Sequence, residues 1–395
     1  MQPLEHTAQR ITRALTRLAR PVVSIGSRSW SSFVLVVGVG LVGAVLLAMA
    51  LTLHRGLSVG LVAGLGVAAV TTEGSLALLR RVLGGKEHMV FYESFLAIAV
   101  VTAVLLGILR QPVLPHLEVL LLGVGLLQAV WRVGCFMVGC CHGRPYAWGV
   151  CYRQDHAAAG FNAYLVGVPL APIQLVEMFW ALGSVALGSL LVAGGALPGS
   201  GLAAYVVAYS LGRFFFEFVR GDAARPYAVG FSEAQWIALS IITAVVLAGW
   251  GGVLPASVWH QVVATGLLGV AGVVLLKRRT TDQPHLLHPK HVGEVARALR
   301  VLHAGKAIPR DPNAPPHVVR TSLGVELSGG DGSEARGPMQ QYAMTLPDGA
   351  ADTGDARALT GVVRSLLVPL TPDPPSIECT RQADGRVRLR LVADV

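Results

Sequence analysis

The stretch WRVGCFMVGCCHGRPYAWGVCY, Trp131 to Tyr152, gathers four of the chain's five cysteines with Arg132, Arg144 and His142. Thiolates and imidazole are zinc ligands, so Cys135, Cys140, Cys141, His142 and Cys151 form a candidate metal set. Their spacing is not the usual pair of cysteines two residues apart, and adjacent ligands chelate one ion awkwardly. A second chemistry is a reactive thiol, because Arg132 lies one helical turn before Cys135 and favours its thiolate, which can carry a covalent intermediate. The third reading is packing: thiols are small and apolar, and Gly134 and Gly139 beside them allow helices to approach closely. On this third reading no metal, and no other cofactor, is expected.

A second set lies in YSLGRFFFEFVRGD, where Arg213, Glu217 and Arg220 fall at i, i+4 and i+7 and share one helix face. In APIQLVE, Gln174 and Glu177 are three apart and again share a face. Ionisable groups inside a membrane span are costly, so each needs a partner or a task. Arg132 and Arg213, from separate segments and flanked by carboxylates and an amide, make a socket for a phosphate, whose oxygens match the planar guanidinium fork. The competing reading is a set of buried ion pairs that only pins helices, with Arg132 and Arg220 snorkelling from span ends. Glu73, Glu93 and Glu118 also fall inside apolar runs.

The elements that must position these residues are membrane helices. Of 395 residues, 53% are hydrophobic and only 14% charged, against about 25% charged in soluble domains. The net charge of +9 comes without an aromatic-interleaved basic stripe, which argues against nucleic acid and for anionic lipid. Eight segments, near 32–53, 57–79, 89–110, 117–139, 171–194, 200–219, 231–253 and 257–276, reach the length of a bilayer crossing. Nothing alternates as barrel strands would. The expected fold is an all-α polytopic membrane protein of about seven or eight transmembrane helices, with a small soluble C-terminal α+β domain. Its expected parts are a basic amphipathic segment (1–30), a transmembrane domain (31–279) and the soluble domain (280–395). Residues 142–170 are expected to cap a cavity, with Tyr146, Trp148 and Tyr152 as interfacial anchors. In the tail, HVGEVARALRVLHAG and ALTGVVRSLLVPL read as amphipathic helices and GRVRLRLVADV as an edge strand. PRDPNAPP and SGGDGSEARGP read as flexible linkers.

Taken together these motifs resemble the bacterial prolipoprotein diacylglyceryl transferase family. Arg132, Gly134, Phe136, Gly139 and Gly143 are in register with its Gly-Arg-x-Gly-Asn-Phe-x-Asn-Gly-Glu signature and the glycine beyond it. Pro172, Gln174, Leu175 and Glu177 match a second motif; Tyr209, Arg213, Glu217, Phe218 and Arg220 a third; Ser232 and Gln235 a fourth. The resemblance implies transfer of the diacylglyceryl unit of phosphatidylglycerol to a preprolipoprotein cysteine thiol, releasing glycerol phosphate, without metal or nucleotide. It implies a bacterial inner-membrane location, and phosphatidylglycerol and signal peptides as partners. Arg132 and Arg213 would hold the phosphate, beside Glu217. Gly134, Cys135, Gly139, Gly143, Arg144, Gln174, Glu177, Arg220 and Gln235 would line the substrate site. The chain departs from the pattern where the signature asparagines and glutamate become Cys135, Val138 and Cys140, and where a family histidine becomes Tyr92, next to Glu93. Tyr92, Glu93, His88 and His142 are therefore the candidate proton acceptors.

Lysine and arginine cluster in the N-terminal segment, at 80–86, at 142–170, at 220–230 and at 277–279. The positive-inside rule puts both termini, and the mouth beside Arg132, in the cytoplasm. The resemblance implies the opposite face and seven spans. Two alternatives follow: a related transferase with a cytoplasmic acceptor, or a non-catalytic lipid-binding or thiol-metal membrane protein.

Overall fold

A computed structural model describes residues 2–83, 91–222, 227–280, 286–305, 317–334, 337–346, 354–367, 369, 376–381 and 387–394. Helix α1 (Gln2–Leu18) and the hairpin β1 (Val22–Ile25) and β2 (Arg28–Ser31) lead into α2 (Ser32–His54), α3 (Val59–Val82), α4 (Phe91–Ile108) and α5 (Val113–Val138). A cap follows: β3 (Pro145–Cys151), α6 (Gln154–Ala158), a single 3-10 turn and β4 (Pro169–Leu170). Then come α7 (Ile173–Ala193), α8 (Ser200–Phe216), the short hairpin β5 (Tyr227–Ala228) and β6 (Phe231–Ser232), α9 (Glu233–Trp250) and α10 (Val258–Thr280).

In hydrocarbon every backbone N–H and C=O must be paired inside its own segment, so apolar runs without alternation become helices. Among the described residues six helices are long and apolar enough to cross a membrane: α2, α3, α5, α7, α9 and α10. Helix α4 has a shorter apolar run, Tyr92–Ile108, and α8 has 17 residues. Large apolar side chains such as Leu46, Val100, Leu190 and Val262 face outward, as a lipid-facing surface requires. Helix α5 is the hub, with 67% of its span buried against 17–33% for the other five. Close approach explains this: a Cβ on Gly123 would sit 2.8 Å from the Ala44 carbonyl of α2.

At the end of the bundle away from the cap, Glu118 of α5 is fully buried yet satisfied. It pairs with Arg55 at 3.0 Å and accepts the Gly201 N–H at 2.7 Å and the Leu202 N–H at 3.3 Å, neutralising the first turn of α8.

Helix α11 (Pro289–Gly305), β7 (His317–Arg320), β8 (Glu326–Glu334), β9 (Gly337–Thr345), α12 (Gly354–Leu367), β10 (Ser376–Arg381) and β11 (Val387–Asp394) complete the chain. The strands form one antiparallel sheet in the order β10-β11-β9-β8-β7. Two expectations are corrected. GRVRLRLVADV becomes β11, which is not an edge, since it pairs with β10 on one side and β9 on the other. Alternating apolar residues look the same on edge and inner strands. Ser328–Glu334, expected in a flexible linker, pair along β9 instead. PRDPNAPP lies outside the described residues.

The sheet does not stand apart from the membrane part. Leu327, Tyr342 and Met344 share one buried core with Val295 and Leu299 of α11, Val363 and Leu367 of α12, and Val150, Tyr152, Phe161 and Leu170 of the cap. Arg300 of α11 grips the cap, donating to the carbonyls of Tyr164 at 3.0 Å and Val166 at 2.7 Å. Helix α1 seals the open edge of β3, where Thr12 and Thr16 hydroxyls accept the Gly149 and Cys151 N–H groups at 3.2 and 3.0 Å.

Candidate functional site

The site forms where three helix ends are laced together by backbone. Helix α5 stops at Gly139, whose φ of +85° suits glycine and whose N–H bonds the Cys135 carbonyl at 2.9 Å. Residues 142–144 then run between two other segments. The Gly221 N–H donates to His142 O at 2.9 Å and the Arg144 N–H to Val219 O at 3.0 Å; Gly143 N–H bonds Ala171 O at 3.2 Å. No side chain fits at Gly143, because a Cβ would strike the Ala171 carbonyl. The ends of α5 and α8 and the start of α7 are thereby fixed as one unit.

Glu177, in the first turns of α7, is the centre of this unit. Its Oε2 lies 3.1 Å from Arg132 Nη1, and its Oε1 lies 3.2 Å from Arg220 Nη1 and 3.5 Å from Arg213 Nη1. Arg213 also pairs closely with Glu217 one turn on. Arg220 is clasped by Asp222 at 3.0 and 3.3 Å. The side chains of the three arginines, Glu177 and Glu217 are each at most 9% exposed. Burying three cations costs several kcal/mol each unless paired, and three carboxylates supply the balance. Burial opposes the charge on Arg220, but Asp222, then Cys141 and Glu177, hold it firmly cationic. Half-buried Arg144, whose Nε donates to Arg220 O at 3.4 Å, brings a fourth cation.

Gln174 locks the neighbouring turn, its amide donating to Cys140 O at 3.0 Å and Tyr152 Oη at 3.2 Å. Tyr152 in turn donates to Phe136 O at 3.1 Å. Fully buried, Tyr152 is no interfacial anchor, contrary to expectation, whereas Tyr146 is exposed.

Cys135, Cys140 and Cys141 converge, their Sγ atoms all within 4.8 Å of one another. Cys141 makes this possible by adopting φ +54°, a left-handed conformation costing roughly 1 kcal/mol for a non-glycine residue. Hydrogen bonds from Cys135 and then Cys140 pull the Cys141 thiol well below the usual range, with Arg220 and Arg132 adding to the effect. Cys140 is pushed up to about 12: its bond with Cys135 works the other way but is outweighed by the bond with Cys141 and by burial. Cys151 and His142, included in the expected metal set, stand outside the cluster. The Cys151 thiol is pushed up to about 11 by burial and bonds Thr16, while His142 Nδ1 bonds Gly143 O at 2.9 Å.

The remaining candidates have the following surroundings. Glu93 is half-exposed and paired with Arg80 at 2.7 Å, away from the arginine cluster. Gln235 is consumed structurally, since its Oε1 accepts the Ser232 N–H in the capping box of α9 and its amide donates to Phe214 O at 3.1 Å. Gly134 packs on Phe33. His88 lies outside the described residues. Tyr92 is buried and lines a narrow hollow of only about 10 Å³ with Phe95, Tyr205, Tyr209 and Ser210, one turn along α8 from Arg213. Gln128, one turn before Arg132, bonds Tyr209 Oη at 2.8 Å, a link the sequence motifs did not suggest. A polar amide deep in an apolar run was the available signal.

Fold and site together define a polytopic helical membrane protein with a buried arginine–carboxylate centre under a mixed cap. A family model described as prolipoprotein diacylglyceryl transferase matches residues 22–250, more than half of the chain, and the chain belongs to that family. A phosphatidylglycerol–prolipoprotein diacylglyceryl transferase of Clostridium perfringens is 33% identical over 125 residues, covering 30% of this chain and 45% of its own length. One from Dehalococcoides mccartyi is 33% identical over 129 residues, covering 32% and 46%. The chain thus spans about half the length of the curated relatives it matches.

Proposed function

We propose that this chain is a transferase that moves the diacylglyceryl unit of phosphatidylglycerol onto a cysteine thiol of a prolipoprotein; its relatives are named as phosphatidylglycerol–prolipoprotein diacylglyceryl transferases. The observation that carries the reading is the convergence of Arg132 and Arg213, from different helices, on Glu177. Arg132 Nε is buried and has no acceptor among the described residues. A buried donor without a partner costs about 1–3 kcal/mol, which a phosphate oxygen would recover.

In the reaction the acceptor thiol gives up its proton to solvent, and its sulfur attacks the glyceryl carbon that carries the phosphate oxygen. The carbon–sulfur bond forms, the carbon–oxygen bond breaks, and the electron pair leaves with glycerol phosphate. Arg132 and Arg213 receive that growing charge, while Glu177 and Glu217 hold the guanidinium planes in place. Incubation of the purified protein with labelled phosphatidylglycerol and a lipobox peptide should give labelled thioether. Absence of transfer in the wild type would remove the assignment.

One observation also favours a cytoplasmic acceptor. Helix α1, the cap and the C-terminal sheet share a core at the site end, so the first described helix and the C-terminal domain lie on the side of the mouth. Arg10, Arg13, Arg17, Arg80, Arg81, Lys277, Arg278 and Arg279 fall in segments at the same end. A reporter fused after Val395 that is active only in the cytoplasm would support this orientation, and one active only outside would reject it.

A further inference from the structure

The three convergent thiols are not explained by phosphate binding. Cys141 takes a left-handed conformation that brings adjacent cysteines onto one point. We propose that Cys135, Cys140 and Cys141 form a three-thiolate site for a zinc-class cation whose fourth position takes the acceptor's thiol.

The geometry suits that ion. Tetrahedral zinc with bonds of about 2.3 Å sets its sulfurs roughly 3.8 Å apart, so thiols already within 4.8 Å of one another need to close by about an ångström at most. Three thiolates and a dication leave one net negative charge, and Arg132 lies one helical turn before Cys135. Cys140 is exposed, which gives a path for the cation and for an incoming thiol. Gln174 fixes the Cys140 backbone at 3.0 Å, so the ligand turn is braced from a second helix. Three protein ligands and one open position is the pattern of catalytic rather than structural zinc.

The site also gives the thiol proton a route out. An attacking thiol must lose a proton; Glu177, Glu217 and Asp222 are each engaged with arginines, and buried His142, whose Nε2 has no partner among the described residues, is the competing acceptor. A thiophilic cation deprotonates a coordinated thiol outright. The acceptor R–SH would bind as R–S⁻, releasing its proton to solvent, and the sulfur pair would then attack the glyceryl carbon. The carbon–oxygen bond breaks onto glycerol phosphate, and the neutral thioether, a weaker ligand, departs. The cation keeps its charge throughout. The cation site stands independently; the fourth-position role rests on the transferase reading above.

The test uses the full chain in detergent, reduced and dialysed against Zn²⁺ or Co²⁺. We expect about one equivalent of zinc by elemental analysis and a thiolate-to-cobalt charge-transfer absorption. Both should be lost in Cys141→Ser and kept in Arg213→Ala. Because a cysteine variant can fail to fold, wild-type protein is also labelled with maleimide, and Zn²⁺ should slow the reaction of Cys140 at least tenfold. Less than one tenth of an equivalent with unprotected Cys140, or zinc retained fully in Cys135→Ser/Cys141→Ser, overturns the site. Zinc bound without any diacylglyceryl transfer upholds the site and removes the transferase reading. Undiminished transfer by zinc-free Cys141→Ser upholds the transferase reading and removes the fourth-position role.

Discussion

At the residue scale the centre depends on one carboxylate serving three guanidinium groups. Glu177→Gln would leave Arg132, Arg213 and Arg220 facing two remaining carboxylates. Breaking a buried pair typically costs about 3–5 kcal/mol, so this variant should melt well below wild type in a thermal-shift assay and lose transfer. Arg132→Lys keeps the charge but loses the planar fork and its free Nε. Loss of one such donor is worth about 10²–10³ in rate, so kcat should fall by that order while folding is kept; an unchanged rate would mean Arg132 only braces α5. Much of this centre was legible in the sequence. The i, i+4, i+7 spacing put Arg213, Glu217 and Arg220 on one face, and Gln174 and Glu177 shared another. The clasp of Asp222 on Arg220 was not, because it depends on the turn that ends α8. Convergence of the thiols was not legible either, since it requires a backbone conformation that cysteine rarely adopts.

At the element scale the cap is the part most open to perturbation. Gly143→Ala drives a methyl into the Ala171 carbonyl, between backbone strands that cannot shift separately. Overpacking costs about 1–3 kcal/mol, and the loss should appear as faster proteolysis within 142–170. His156 is buried against Tyr152, with ring centroids 5.0 Å apart. Burial holds its pKa below the usual value, with Asp155 opposing. The sign follows from that direction: above the unfolded value of about 6.5 its contribution is complete, and it fades as pH falls through the lower folded value. The melting temperature should therefore drop between pH 7 and 5, and drop less in His156→Phe. An equal drop in both would exclude His156 as the cause. The cap was read in the sequence as a connection over a cavity, but its pairing of β3 with β4 was not. A strand of two residues carries no periodicity.

At the scale of the whole molecule, the apolar helices, α1, the cap and the terminal sheet form a continuous structure. The long apolar runs were plain in the sequence because hydrocarbon admits so few alternatives. The docking of the tail was not, because contacts such as Arg300 with Tyr164 and Val166 join residues far apart in the chain. Arg300→Ala removes two hydrogen bonds from a charged donor, each worth about 1.5–3 kcal/mol. Limited proteolysis should then release a fragment beginning near residue 280, while the membrane part remains intact; equal resistance would show that apolar contact alone holds the tail.

That docking also has a consequence for how the protein is made. The cap is synthesised well before α11, α12 and the sheet that cover Val150, Phe161 and Leu165. A nascent chain paused near residue 280 has inserted its helices but still exposes that greasy patch to chaperones and proteases. Completion of the mouth is thus a post-insertion event. Pulse-chase digestion of stalled ribosome complexes should find the cap cleavable until translation passes α12.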